Sequence, residues 1–445
     1  MNDYFSRRHF LTRSGLGFGG LALGALLARD GGAVESSWRP PTGLPHFPAR
    51  AKSVIWIFLC GGVSHLESFD HKPEINRFAG KTIAETPYAD VQNPAKLALE
   101  RAPVPDANGL QRNVLFPLQT GFKKHGHLGI GVADWFPELA KCVDEMAFVR
   151  SMYTTDNDHG AEFQMHTGRH HLNEQQPVVG SWVSYGLGTL NRNLPSFVVI
   201  APQTPYAGDQ AWGSDFLPAS HQGTRVVPGA TPIANIGRRL TEPGEQEREL
   251  AYLQKMNREH LASRPHEPDL AARIKSFETA YGMQMEAPDL FDLSHEKDHT
   301  LNMYGMNRGQ TSGFGWQCLM ARRMVERGVR FVELIDTGSS NNWDAHGDMA
   351  THTPLAQNVD KPIAGLLKDL KQRGMLDETL VCVMSEHGRT PRINRARGGG
   401  RDHWSQAYTC MFAGGGVGRG RSDRRRLLAG RHFRAPPVSS SARPG

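Results

Sequence analysis

Four short runs of this chain are almost wholly apolar and have the length of buried strands: Ser53 to Cys60, Pro195 to Ile200, Phe331 to Ile335 and Thr379 to Met384. A strand with one wet face alternates apolar and polar residues, whereas one covered on both faces does not. Ala147 to Val149 and Tyr408 to Phe412 read as further strands. Between these lie stretches of helical period at Trp135 to Val143, Gly315 to Arg327 and Ile363 to Arg373, the last with Leu366, Leu367 and Leu370 on one face. Residues 241–286 are charged, alternate helically and read as peripheral helices. Strands alternating with helices predict an α/β fold, a mostly parallel sheet flanked by helices on both faces. In such sheets the functional loops leave the carboxyl ends of the strands.

A chain of 445 residues can bury a large core, and 39% hydrophobic with 22% charged content excludes wholesale disorder. The net charge of +6 is not a property of the body. Residues 1–28 carry +2 and residues 418–445 carry +7, which leaves −3 for everything between. Nucleic acid is therefore not an expected partner of the folded part. The five cysteines (Cys60, Cys142, Cys318, Cys382, Cys410) show no CxxC or zinc-ribbon spacing and sit mostly in apolar runs, as small buried hydrophobes do.

Ser6-Arg7-Arg8-His9-Phe10-Leu11 fits a twin-arginine (Tat) signal, followed by a mild Gly- and Ala-rich apolar stretch from Leu16 to Ala28. That stretch is short of the roughly 20 residues a membrane span needs. Residues 1–33 therefore read as a signal peptide cleaved between about Ala28 and Ala33, and 34–52 as a Pro-rich linker. The expected partner is the Tat export machinery, and the expected location is periplasmic or secreted, with no stable membrane span.

The loops at the strand ends are of one kind. Ser64-His65-Leu66-Glu67 follows the first strand, and Asp156-Asn157-Asp158-His159-Gly160-Ala161-Glu162 follows the one at Phe148. Trp343-Asp344-Ala345-His346 lies beyond Ile335, Ser385-Glu386-His387-Gly388 follows Met384, and Arg401-Asp402-His403 precedes Tyr408. Each offers a histidine with an acid within two residues. One such pair is commonplace, but recurrence at several strand ends is not, and imidazole with carboxylate suits divalent metals. Two such ions roughly 4 Å apart can polarise an oxyanion and activate the attacking oxygen.

From Asp360 to Gly388 the chain runs through a helix, Lys371-Gln372-Arg373-Gly374, Asp377-Glu378-Thr379-Leu380-Val381, then Ser385-Glu386-His387-Gly388. This order resembles the alkaline phosphatase superfamily, whose sulfatases place metal ligands on a Ser-Asp-His-Gly loop after such a strand. Phe136 to Phe148 and Met165-His166-Thr167-Gly168 resemble the sulfatase stretch around its nucleophile. The chain is more closely similar to the bacterial DUF1501 family of that superfamily. The matching pieces are Gly61-Gly62-Val63-Ser64-His65, Asp70-His71-Lys72-Pro73, Arg150-Ser151-Met152, Trp343-Asp344-Ala345-His346, Glu386-His387-Gly388-Arg389-Thr390-Pro391 and Gly400-Arg401-Asp402-His403-Trp404, within a domain spanning 53–417.

The resemblance implies that Glu386 and His387 stand for the superfamily's Asp-His ligands, Asp344 and His346 for its Asp-plus-His loop at tighter spacing, and His403 for its late histidine. It implies two divalent ions, for which Zn, Mn, Mg, Ca and Fe all qualify. Arg150 and Arg389 are expected to clamp an oxyanion, whose oxygens a guanidinium fork matches.

Three departures stand out. Cys60-Gly61-Gly62 replaces the Asp that follows the first strand, and the first acid is Glu67. Asp158 to Glu162 replaces the sulfatase nucleophile segment, so that Asp158 or His159 falls at the nucleophile's place. This leaves open direct attack by water, recruitment of Ser64, Ser151, Thr154 or Thr155, or no catalysis. Finally, residues 418–445 hold eight arginines and a Pro-Pro-Val-Ser-Ser-Ser run where relatives continue a fold. They read as a basic interaction tail or an out-of-frame end, with the last strand ending near Ala413.

The expectation is an exported metal-dependent hydrolase of phosphate, sulfate or related esters, with a small-molecule or glycan ester as substrate. The alternative is a non-catalytic exported metal- or glycan-binding protein that keeps the fold without the nucleophile.

Overall fold

The computed structural model of the chain describes residues 48–89, 111–234, 236, 244–264, 268–394 and 399–417. The expected signal peptide, most of the linker and the basic tail lie outside the described residues.

Seven strands form the central sheet: β1 (Ser53–Phe58), β2 (Met146–Met152), β3 (Phe197–Ile200), β4 (Thr224–Val226), β5 (Phe331–Ile335), β6 (Thr379–Met384) and β7 (Tyr408–Ala413). Their order is β2-β7-β6-β1-β5-β3-β4. β1 is central, with Ile57 beside Val383 of β6 on one side and Leu334 of β5 on the other, both parallel. Only β7 runs against the rest, antiparallel to β2 and β6. That reversal matters for function. The segment entering β7 arrives at the edge where the other strands end, which is how His403 reaches the same edge as Glu386.

The unbroken apolar runs are explained by burial on both faces. Ile55, Ile57 and Leu59 enter one core cluster with α5 (Phe314–Glu326) and α6 (His352–Gln372). Trp56, Phe58 and Cys60 enter a second cluster with Val178, and Val179 and Val183 of α2 (Val179–Leu187) pack against it. Each fully buried side chain of this size contributes about 1.5–3 kcal/mol. The helical stretch 241–286 divides into the peripheral α3 (Glu245–Ala262) and α4 (Pro268–Phe291).

Two expectations change. The helix expected from Ile363 begins at His352 and carries Pro362 inside it. An interior proline costs about 3 kcal/mol. Here Val359, Ile363, Leu366 and Leu370 are all buried along one side and offset that cost. The helix expected from Trp135 is only a 3₁₀ segment, Leu139–Glu145, whose first amides, Glu138 and Leu139, donate to the Asp360 carboxylate at 2.8 and 2.7 Å. A short helix that the sequence did not announce, α1 (Gly160–Thr167), starts directly after His159. All five cysteines are buried and free, and no helix of the described residues is long and apolar enough to cross a membrane.

Candidate metal centre

At the carboxyl edge of the sheet the chain turns out of β1 through Gly61 (φ 111°) and Gly62 (φ 84°), backbone that residues with a Cβ rarely adopt. A Cβ on Gly62 would also overlap the imidazole of His387. The doublet lets this turn pass beneath the loop after β6. Gly61 N–H donates to Glu386 Oε1 at 2.8 Å, and the amides of Gly62 and Val63 donate to Ser385 Oγ. The loop after β5 is tied to the same turn by Asp336, whose buried carboxylate accepts from Cys60 N–H at 3.0 Å and Trp343 Nε1 at 2.6 Å. Burial pushes Asp336 up to about 6 against the pull of those hydrogen bonds.

These loops bring Asp344, His346 and His403 together. His346 Nε2 lies 2.9 Å from Asp344 Oδ1, His403 Nε2 lies 3.1 Å from the same oxygen, and the two nitrogens are 3.0 Å apart. The outer nitrogen of each ring meets an atom that can only accept: His346 Nδ1 faces Asp402 Oδ1 at 2.6 Å, and His403 Nδ1 faces the Asn157 carbonyl at 2.9 Å. In the neutral rings the Nδ1 atoms therefore carry the hydrogens, and both Nε2 lone pairs turn inward on a carboxylate oxygen. Three acceptors at such separations require a proton or a cation among them. Asp344 and Asp402 raise the pKa of His346 despite the opposing effect of burial. A divalent ion would satisfy all three atoms together.

His387 and His159 complete the cluster. His387 Nδ1 faces the Gly388 carbonyl at 3.2 Å, and its buried Nε2 has no hydrogen-bond partner among the described residues. Burial, with His403, Arg389 and His159 nearby, holds its pKa well below the usual histidine range. His159 lies between two carboxylates, Nδ1 at 3.1 Å from Glu386 Oε1 and Nε2 at 3.4 Å from Asp344 Oδ2. Burial opposes its charge, but the two carboxylates prevail and raise it to about 9. Asp344 and Glu386 are both held low against burial, Asp344 by the three histidines and Arg389, Glu386 by His159 and Ser385. The ring of Tyr206 stacks on His159 at 3.7 Å and 6°.

All five residues expected as metal ligands thus converge, and His159, expected in a catalytic role, joins them. Asp158 borders the cluster, with Oδ1 at 3.9 Å from His403 Nδ1 and its side chain mostly exposed.

Three other residues are placed differently. Ser64 is buried, its hydroxyl donating to Glu67 and its amide to His352 Nε2 at 3.1 Å. Arg150 faces Asp70 at 3.7 Å and lies over the ring of Phe148. Arg389 is fully buried, and its donors are engaged by the carbonyls of Gly61, Gly62, Trp343 and Arg401 and by Asp344 Oδ1 at 2.7 Å. It braces the loops instead of offering a fork to an oxyanion.

Asp402 and the Asn157 carbonyl were missed as orienting groups. Asp402 adjoins His403 in sequence, which suggests that it serves His403, yet it serves His346. A second His/Asp group, Asp156 with His170 and His171, was also not foreseen. It differs in kind. His170 Nδ1 accepts from Leu172 N–H at 3.2 Å, so its hydrogen sits on Nε2, which lies 3.7 Å from Asp156 Oδ2, and His171 Nδ1 faces the same oxygen. These imidazoles present N–H groups to the acid, not lone pairs to an ion.

A family model described as "Protein of unknown function (DUF1501)" matches residues 51–423. The chain belongs to the DUF1501 family. The match takes in every loop of the candidate metal centre, from Gly61 to His403. No curated protein matches the chain. Among solved structures, the alkaline phosphatase from the Antarctic bacterium TAB5 is similar at 9% identity over 82% of this chain and 92% of that one, with a TM-score of 0.30. A histidine-to-glutamate mutant of that enzyme with Mg bound is similar at 10% identity, the same coverage and a TM-score of 0.30. Likeness at that level carries no argument about the chemistry of this DUF1501 chain. Its α/β fold stands on its own seven-stranded sheet.

Proposed function

We propose that this DUF1501 protein is an exported metal-dependent hydrolase acting on phosphate, sulfate or related esters. The observation that carries the reading is the inward turn of the His346 and His403 Nε2 lone pairs on Asp344, each ring oriented from behind by an acceptor. A divalent ion bound there would supply Lewis-acid polarisation of an ester oxygen and activation of water.

Three of the four hydroxyls that could be recruited are engaged elsewhere, which favours attack by water over a covalent enzyme ester. Ser64 is bound to Glu67, and the hydroxyls of Thr154 and Thr155 both donate to Gln164 Oε1, at 2.6 and 3.0 Å. The same observation supports a second reading, an exported metal- or glycan-binding protein without catalysis.

Metal analysis of the purified protein, paired with a panel of chromogenic phosphate and sulfate esters, separates the two. The hydrolase reading expects chromophore release that disappears with a chelator and in Asp344→Asn. Bound metal with no turnover on any ester supports the binding reading, and absence of bound metal removes the hydrolase reading.

A further inference from the structure

We propose that the centre takes a single divalent ion, seated on the face formed by Asp344, His346 and His403, with His159, Glu386 and His387 lining it as non-ligands. This rests on the metal reading above and replaces the pair of ions expected from the sequence.

Two groups of possible ligands overlap in the cluster, Asp344/His346/His403 and His159/His387/His403. They share His403, whose Nδ1 faces the Asn157 carbonyl and whose one inward nitrogen can coordinate one ion. Both groups therefore cannot be filled as three-ligand sites together.

Spacing suits the first group. Ligands about 2.1 Å from an ion lie roughly 3.0 Å apart along an octahedral edge and roughly 3.4 Å apart in a tetrahedron. The separations within Asp344/His346/His403 are 2.9, 3.0 and 3.1 Å, which match one face of an octahedron. Two histidines and one carboxylate on such a face leave the remaining positions open to water or substrate.

Asp344 Oδ1 also accepts from Arg389 Nη2 at 2.7 Å, which leaves that carboxylate oxygen its second lone pair for an ion, whereas the other group offers few free ligand atoms. Both nitrogens of His159 face carboxylates, at 3.1 and 3.4 Å. Glu386 is equally engaged, with Oε1 held by Gly61 N–H and His159 and Oε2 by Ser385 Oγ at 2.9 Å. Of the second group only the His387 Nε2 lone pair remains, too few donors for a second ion.

The test is metal stoichiometry. The protein is stripped with a chelator and titrated with Mn²⁺ alone, and ions per chain are counted by mass spectrometry while the EPR spectrum is recorded. The expected result is one ion per chain with an uncoupled six-line signal. His346→Ala should bind less than about a tenth of that under the same conditions, since a ligand is lost. His387→Ala and Glu386→Gln should each keep one ion.

Two ions with a spin-coupled spectrum would overturn the proposal and leave the metal reading intact, as would loss of the ion in His387→Ala together with its retention in His346→Ala. No bound ion in the unaltered protein would overturn both. The count on the unaltered protein needs no variant to fold, and circular dichroism checks each variant that is used.

Discussion

His346 directs its Nδ1 to Asp402, 56 positions further along the chain, at 2.6 Å, and Asp402 is wholly buried. The pair joins the loop after β5 to the loop before β7 and turns the imidazole so that Nε2 faces Asp344. Outer-sphere partners of this kind fix the tautomer and raise the basicity of the ligand.

Asp402→Asn keeps the shape of the side chain and removes its charge. Metal affinity should fall about 10- to 100-fold, measured by competition with a calibrated chelator. The fold should remain intact by circular dichroism. Unchanged affinity would mean that Asp402 does not orient the ligand.

Gly62→Ala should be far more damaging than a one-carbon change on a surface. It forces a Cβ into backbone at φ 84° and against the imidazole of His387. Left-handed backbone alone costs about 1–2 kcal/mol in a residue with a Cβ, and displacement of His387 adds to that. Urea unfolding should show at least this loss, and Gly80→Ala is the control, with similar φ (82°) and nothing near its Cβ.

Glu67 and Arg401 form a buried ion pair at 2.7 Å, and Arg401 also donates to the carbonyls of Thr390, Phe116 and Pro117. Removing one partner strands the other charge. Glu67→Leu should therefore cost about 3–5 kcal/mol in denaturant unfolding. A double replacement of Glu67 and Arg401 by apolar residues should recover part of that loss. A cost below about 1 kcal/mol for the single variant would show that water reaches the pair.

Alkaline stability should depend on His166 and Glu333, paired at 2.6 Å in the core. Burial disfavours the charged imidazole, but Glu333 outweighs it and raises His166 to about 9. A raised folded-state value means stability that is fully present below the ordinary 6.5 and is lost as pH climbs from there through about 9. Glu333→Gln should flatten this part of the stability–pH curve, measured by thermal unfolding between pH 6 and 10. An unchanged slope would show that the pair does not titrate there.

Export is tested on the precursor. Replacing Arg7 and Arg8 together by Lys should leave unprocessed protein in the cytoplasm, detected by fractionation and blotting. Normal export of the double variant would remove the twin-arginine proposal.

Much of this protein is determined locally and so could be read from the chain. Unbroken apolar runs at β1, β5 and β6 specify strands covered on both faces, because any other setting would leave Val, Ile and Leu in water. A histidine with a nearby acid in four of the loops pointed to one cluster, since strand ends of a parallel sheet converge on one edge. What each polar atom does there is not local. The Ser64 amide on His352, the Arg389 guanidinium among carbonyls and the Asp402 carboxylate on His346 depend on loops dozens to hundreds of positions apart. The entry of β7 antiparallel to its neighbours is likewise decided by tertiary packing. Hydrophobic period reports which face of an element is covered, whereas hydrogen-bond partners and ligand spacing, and with them the number of ions the centre can hold, are set only once the chain has closed on itself.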